Sequence, residues 1–405
     1  MLMPRLVLVL AATLLSSAIA TLPGSGQAQH ATPLASPAAG VTTTAIVVSA
    51  TNEPLRVTGS DGLDHLEYDL LVTNGFAAPV TLTSIAVTAP GSETLLRLAG
   101  EALVTATQPL LGRAPTAAIP ASGTVAVVID VTVPPDRAVE RMSHHITYEV
   151  PPDAPVRSLI GSFAVDGPQL PVDPRPTTVI APPLRGDGWL ATNGCCAAAS
   201  VHRAVRVPIG GTRIGKQESF AIDWARLRDG QPFAGDGARP EDWYGFGAEV
   251  LAVADGTVVA IQEGYPEEIP LQPVTHVTTP EDYGGNAITL EIASGVYAYY
   301  AHLEPGSITV AVGDQVTTGQ VLGLLGNTGN SSGPHLHFGL SDDPNPLIGE
   351  SLPMAFDHWT LQGTFDMAAY EAAGGGDASS ALILQAAPAP QTGTLQLYLD
   401  VADFG

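Results

Sequence analysis

The sequence has 405 residues, with 40 Asp and Glu against 16 Lys and Arg, a formal charge of −24. That length excludes a single small core, and the acidic balance argues against nucleic acid or anionic lipid as partners, since both are bound through clustered cations. A chain that is 45% hydrophobic yet holds 43 Gly and 35 Pro fills a core while turning often, the composition of many short strands.

Met1 to Arg5 carries one cation, residues 6–15 are apolar, and Ala18, Ile19 and Ala20 end the stretch with small residues, the pattern of a cleaved secretory signal. The apolar run is shorter than the ~20 residues that span a bilayer. The sequence therefore predicts a signal peptide at 1–20, a flexible leader at 21–40, and a secreted or extracytoplasmic protein with no membrane span after signal removal. Export permits disulfides, but the two cysteines are neighbours, Cys195 and Cys196. They cannot staple distant segments and are read as a vicinal disulfide or two buried thiols.

From 41 to 166 the pattern alternates, with strand-like runs at 45–48, 66–72, 80–87, 124–131 and 145–150 separated by turn residues. This predicts a β-sandwich of immunoglobulin-like size. His144 and His145 fall side by side on the last run and must face opposite ways, one buried and one solvated. Residues 167–194, with Pro168, Pro171, Pro174, Pro176, Pro182 and Pro183, read as a semi-rigid linker. A second strand-rich domain follows at 195–365, interrupted by a proline-containing insertion at 263–282, and a low-complexity tail at 366–405 ends in a strand at 394–401.

The chemistry concentrates in Gly333-Pro334-His335-Leu336-His337-Phe338. Residues i and i+2 of a strand share a face, so His335 and His337 project together while Leu336 and Phe338 enter the core. Two imidazoles side by side suit metal binding and proton transfer. Before them come Tyr299-Tyr300-Ala301-His302-Leu303, the glycine-punctuated stretch 313–323, and Gly326-Asn327-Thr328-Gly329-Asn330-Ser331-Ser332. With 246–259 upstream, this series resembles the lysostaphin/LytM-like zinc endopeptidases of the duplicated hybrid motif fold, over roughly 200–356. The fold class expected is thus all-β, a sandwich followed by a β-rich peptidase domain.

The resemblance implies Zn²⁺ as cofactor, with His337 as a ligand and with His302 and His335 lining the cleft to act on the attacking water and the developing oxyanion. It also implies peptidoglycan peptides as substrate, and hence a cell-wall-associated enzyme. The family's H-x-x-x-D pair supplies two further ligands; its Asp matches Asp223, but Ser219 stands where its His belongs. Catalytic zinc sites take three protein donors. His202 is the substitute the sequence offers, since a hairpin turning near Thr212 sets it opposite about Ile222, beside Asp223. His276 in the insertion, and His358 beside Trp359, rank below it, and Arg203 could orient a substrate carboxylate but reads more readily as a surface ion pair. Two functions follow: a zinc-dependent endopeptidase, or a silent relative that binds peptidoglycan or regulates a partner hydrolase. The sequence bears no mark of oligomeric state.

Overall fold

Alternation in the strand Asp64–Asn74 turns Leu66, Tyr68, Leu70 and Val72 to one face, all fully buried. They meet Val80, Leu82, Ile85 and Val87 of the strand Val80–Thr88, and Ile146 and Tyr148 of Arg141–Glu149, in one apolar core. Two antiparallel sheets enclose it. One runs in the order Ile46–Ala50, Asp64–Asn74, Thr124–Val133, Thr107–Pro109, with Leu55–Thr58 also on Asp64–Asn74. The other runs Ala164–Asp166, Arg141–Glu149, Val80–Thr88, Thr94–Ala99, with Ala118–Ile119 and Leu170–Pro171 attached. His144 is buried, donating from Nδ1 to the Pro168 carbonyl at 2.6 Å and accepting from the Tyr68 hydroxyl at 2.6 Å, whereas His145 is exposed.

The computed structural model describes residues 42–91, 93–372 and 380–405, and 42–405 form one compact unit. The expected signal peptide, the leader and the glycine run at 374–376 lie outside the described residues. The second half is built on an 11-stranded sheet in the order Gln315–Val316, Gly256–Gln262, Ala287–Ala293, Val296–Ala301, Leu336–Ser341, Ile222–Arg226, Trp189–Asn193, Asp400–Asp403, Trp359–Phe365, Leu382–Gln391, with Ser351–Leu352 also on Leu336–Ser341. Under its centre, Trp224 packs against Phe338, Phe356 and Phe404, and its indole N–H donates to Gln396 at 2.7 Å.

The Pro-rich 167–194 stretch is woven into this body. Thr178–Ile180 pairs in parallel with Met354–Phe356, and Trp189–Asn193 is an inner strand of the large sheet. The tail also differs from expectation, its described residues holding two strands rather than one. Leu399 sits in the left-handed region at φ 68, so no strand runs unbroken from 394 to 401, and the closing strand is Asp400–Asp403. Leu382–Gln391, which includes Pro388 and Pro390, takes the sheet edge, the place a strand tolerates proline. Cys195 and Cys196 form a vicinal disulfide and are buried in the second core together with Leu55 and Val57 of the first half.

Candidate active site

Leu336–Ser341 lies between Ile222–Arg226 and Val296–Ala301, in a register that sets His337 opposite both Asp223 and Ala301. Leu336, Phe338, Ile222 and Trp224 point into the core with no exposed surface, so the residues between them, His337 and Asp223, share the opposite face. His335 stands two residues before His337, and His302 follows the end of Val296–Ala301. His302 has φ 66, a left-handed conformation uncommon for a side chain with Cβ. It is held there by its N–H to the Gly284 carbonyl at 2.9 Å and by its own carbonyl, which accepts from Gly326 at 3.0 Å.

His202 does come beside Asp223, but not through a hairpin. Val201–Ala204 is one turn of 3₁₀ helix, and the hairpin behind it is the short pair Val207–Ile209 and Arg213–Gly215. Asp223's strand pairs instead with Trp189–Asn193 and Leu336–Ser341. The serine-anchored turn, with the Ser200 hydroxyl accepting from the Gly194 N–H at 3.0 Å, bends the chain before any ladder can start. Asn193 ties the turn to the carboxylate: its Oδ1 accepts from the Val201 N–H at 3.2 Å and its Nδ2 donates to Asp223 Oδ2 at 2.8 Å.

The carboxylate is the hub. His202 Nε2 is 3.0 Å from Asp223 Oδ2, His337 Nδ1 is 2.8 Å from Asp223 Oδ1, and His335 Nε2 is 3.7 Å from the same Oδ1. One ligand atom from each of His202, Asp223 and His337 falls within 4.8 Å of the others. Across the cleft the His302 and His335 rings are 4.6 Å apart, and those of His302 and His337 6.0 Å. Three of the rings have their tautomer set by carbonyls, which only accept. Nδ1–H donates to Ala221 from His202 at 2.9 Å, to Thr328 from His302 at 2.7 Å and to Gly333 from His335 at 2.8 Å, leaving each Nε2 for the site.

Burial pushes the His302 pKa well below its ordinary value, helped by His335 and His337, and burial lowers His335 as well, so both start neutral. At His202 burial also pulls down, yet Asp223 and Glu218 together carry it up to about 9. Burial pushes Asp223 up, but the charge of His202 and the hydrogen bonds from His202 and His337 outweigh it and hold the carboxyl well below the usual carboxylate range.

His276 lies away from this cluster, its ring paired with Glu268 at 2.8 Å, and His358 is exposed beside Asp357 instead of packed on Trp359. Arg203 is not at the surface but fully buried. The insertion is stitched to the loop before the H-x-H run: Glu268 N–H donates to the Asn327 carbonyl at 2.9 Å and Leu271 N–H to Ser332 at 2.8 Å. Sequence reasoning missed Asn193 and also Glu218, whose Oε2 lies 3.8 Å from His202 Nε2. It missed the role of Ser331 too, whose hydroxyl reaches Asn327, the Gly333 carbonyl and His335. The Asn327–Ser332 run was visible as a motif, but Asn193 and Glu218 carry no local signal.

Residues 244–347 match the model of Peptidase family M23. The peptidoglycan DD-endopeptidase ShyA of Vibrio cholerae is 34% identical over 107 residues, 26% of this chain and 24% of that protein. The glycyl-glycine endopeptidase ALE-1 of Staphylococcus capitis is 40% identical over 75 residues, 16% of this chain and 20% of its own length. This chain thus spans less than a quarter of either relative. Among solved structures, the catalytic domain of lysostaphin from Staphylococcus simulans aligns at 24% identity over 32% of this chain and 73% of that one, with a TM-score of 0.21. The C-terminal half therefore carries a lysostaphin/LytM-type M23 peptidase domain at 244–347, which contains His302, His335 and His337, while Asp223 and His202 stand before it.

Proposed function

We propose that this chain is a zinc-dependent endopeptidase that cuts peptide bonds of bacterial cell-wall peptidoglycan and works outside the cytoplasm. The observation that carries the reading is the convergence of one ligand atom each from His202, Asp223 and His337 within 4.8 Å of one another, beside two neutral imidazoles. The donors suit zinc, which takes imidazole nitrogen and carboxylate oxygen at ~2.0–2.2 Å and sets tetrahedral neighbours ~3.3 Å apart. The observed separations of 3.0 and 2.8 Å need only a small opening to match. His202, Asp223 and His337 would hold the ion and leave one position free, as catalytic sites do. The chemistry a bound zinc would supply there is polarisation of the scissile carbonyl and activation of water as a nucleophile near neutral pH.

The chain's own residues handle the protons. His302 and His335 both give Nδ1–H to a carbonyl and keep Nε2 as an acceptor. His335 is the better first acceptor, because Asp223, 3.7 Å away, stabilises its charged form. Once protonated, the same Nε2–H is a donor toward the developing oxyanion or the leaving amine. The relatives' names specify different bonds, so the substrate class proposed is the peptide of peptidoglycan and not one linkage. Among the described residues no helix is long and apolar enough to cross a membrane.

Purified full-length protein incubated with purified sacculi should release new peptide amino termini, counted by mass spectrometry after amine labelling. A zinc chelator, or His337→Ala, should stop the release. Sacculus binding without new termini would leave only a docking role, and release indifferent to chelator would remove the metal from the mechanism.

A further inference from the structure

The strand Asp64–Asn74 is buried on both faces. Opposite Leu66, Tyr68 and Leu70 it carries Glu67 and Asp69, neither with any exposed surface. The segment that follows His202 covers them. Arg203 pairs with Glu67 and lies 3.4 Å from Asp69 Oδ1; Arg206 places Nε and Nη2 each 2.7 Å from Asp69 Oδ2. Lys216, the one lysine of the chain, pairs with Glu67 and sits 2.9 Å from Asp69 Oδ1. Arg203 also donates to the Ser219 hydroxyl at 3.3 Å, at the position where the family pattern expects a histidine.

Three cations and two carboxylates are thus gathered out of water. Desolvating each costs several kcal/mol, and apolar side chains of similar size would join the two halves as well or better. What a forked, directional network adds is position. Arg203 is the residue after His202 in a turn of only four residues, so fixing its guanidinium fixes the ring next to it.

Resting on the metal-site reading above, we propose that Glu67 and Asp69 are positioning residues for His202. Through Arg203, Arg206 and Lys216, the first-half sheet sets the third metal donor, so metal affinity depends on carboxylates that do not themselves touch the ion.

The test is the zinc Kd of the full-length chain, by competition with a chromogenic chelator. Glu67→Gln with Lys216→Met removes one anion and one cation together and leaves the cluster's net charge unchanged. It should weaken zinc binding about 10–100-fold, the usual effect of losing an outer-shell partner. Val127→Ala, a cavity in the same half's core, should lower stability and leave the Kd unchanged. An unchanged Kd in the charge-pair variant, or an equal loss in Val127→Ala, overturns the proposal. Hydrogen exchange on metal-free parent protein covers the case in which the charge-pair variant does not fold. A peptide at 201–206 exchanging as slowly as Asp64–Asn74 supports positioning, and fast exchange there overturns it. If His202→Ala binds zinc as tightly as the parent, the metal-site reading itself has failed; if His202→Ala loses zinc and the charge-pair variant does not, only the positioning role has.

Discussion

Replacing His202 by alanine tests the least conventional member of the site. The substitution leaves Asp223 and His337, 2.8 Å apart, as a two-donor site. Four-donor structural zinc sites bind with ~10–16 kcal/mol at neutral pH, so each donor accounts for ~3 kcal/mol. At 1.4 kcal/mol per tenfold, losing one should weaken the Kd by roughly 10²-fold. The fold should register a smaller effect, since the Ala221 carbonyl loses the N–H that reaches it at 2.9 Å, a loss of about 1–3 kcal/mol. Metal content after dialysis against buffered zinc, a chelator-competition titration and a denaturant melt separate the two. A parent-like Kd in a folded His202→Ala protein would refute the assignment of the third donor, and would leave Glu218 as the nearest other carboxylate to that corner of the site.

His302→Ala and His335→Ala should each cut turnover of peptidoglycan peptides by roughly 10²–10⁴-fold while zinc stoichiometry stays at the parent value; loss of zinc in either would make that ring a ligand. Gly333→Ala would drive a methyl group into the Trp243 ring and shift the carbonyl that orients His335, so turnover should fall by about 10²-fold with unchanged zinc content; parent-like turnover would show that the orientation is not needed. Asp400, buried and raised to about 6 chiefly by that burial, should make stability fall as pH climbs from about 4 to 6, because the folded state holds the proton longer than the unfolded one. The full effect is ~3 kcal/mol above that window. Asp400→Asn keeps an oxygen for the Ser60 hydroxyl and the Leu397 N–H, so its denaturation midpoint should gain on the parent's between pH 4 and 7, and a constant difference would exclude the linkage.

The parts of the molecule legible in the sequence are those whose signals are local. Period-2 alternation placed the strands around 66–72, 80–87 and 124–131, and the i, i+2 spacing put His335 and His337 on one face with Leu336 and Phe338 buried beneath. Counting donors and a hairpin register both point to His202, but only the count survives, because its ring arrives on a 3₁₀ turn that no strand period describes. Glu67 and Asp69 alternate with apolar residues as a solvent face would, and nothing within 64–74 reveals that arginines 134 and 137 residues beyond Asp69 cover them. Leu382–Gln391 is rich in Ala and Pro, poor strand formers, and exists because Trp359–Phe365 offers it an edge.

The donors of the cleft come from positions 202, 223 and 337, and the ladder joining Asp223 to His337 closes a loop of more than a hundred residues. Such a contact is slow to form and late to arrive. A nascent chain therefore has no working tripod until residues 336–341 have left the ribosome and paired. On the function proposed above, hydrolysis would wait for that pairing, and most of the chain would be made before it could cut.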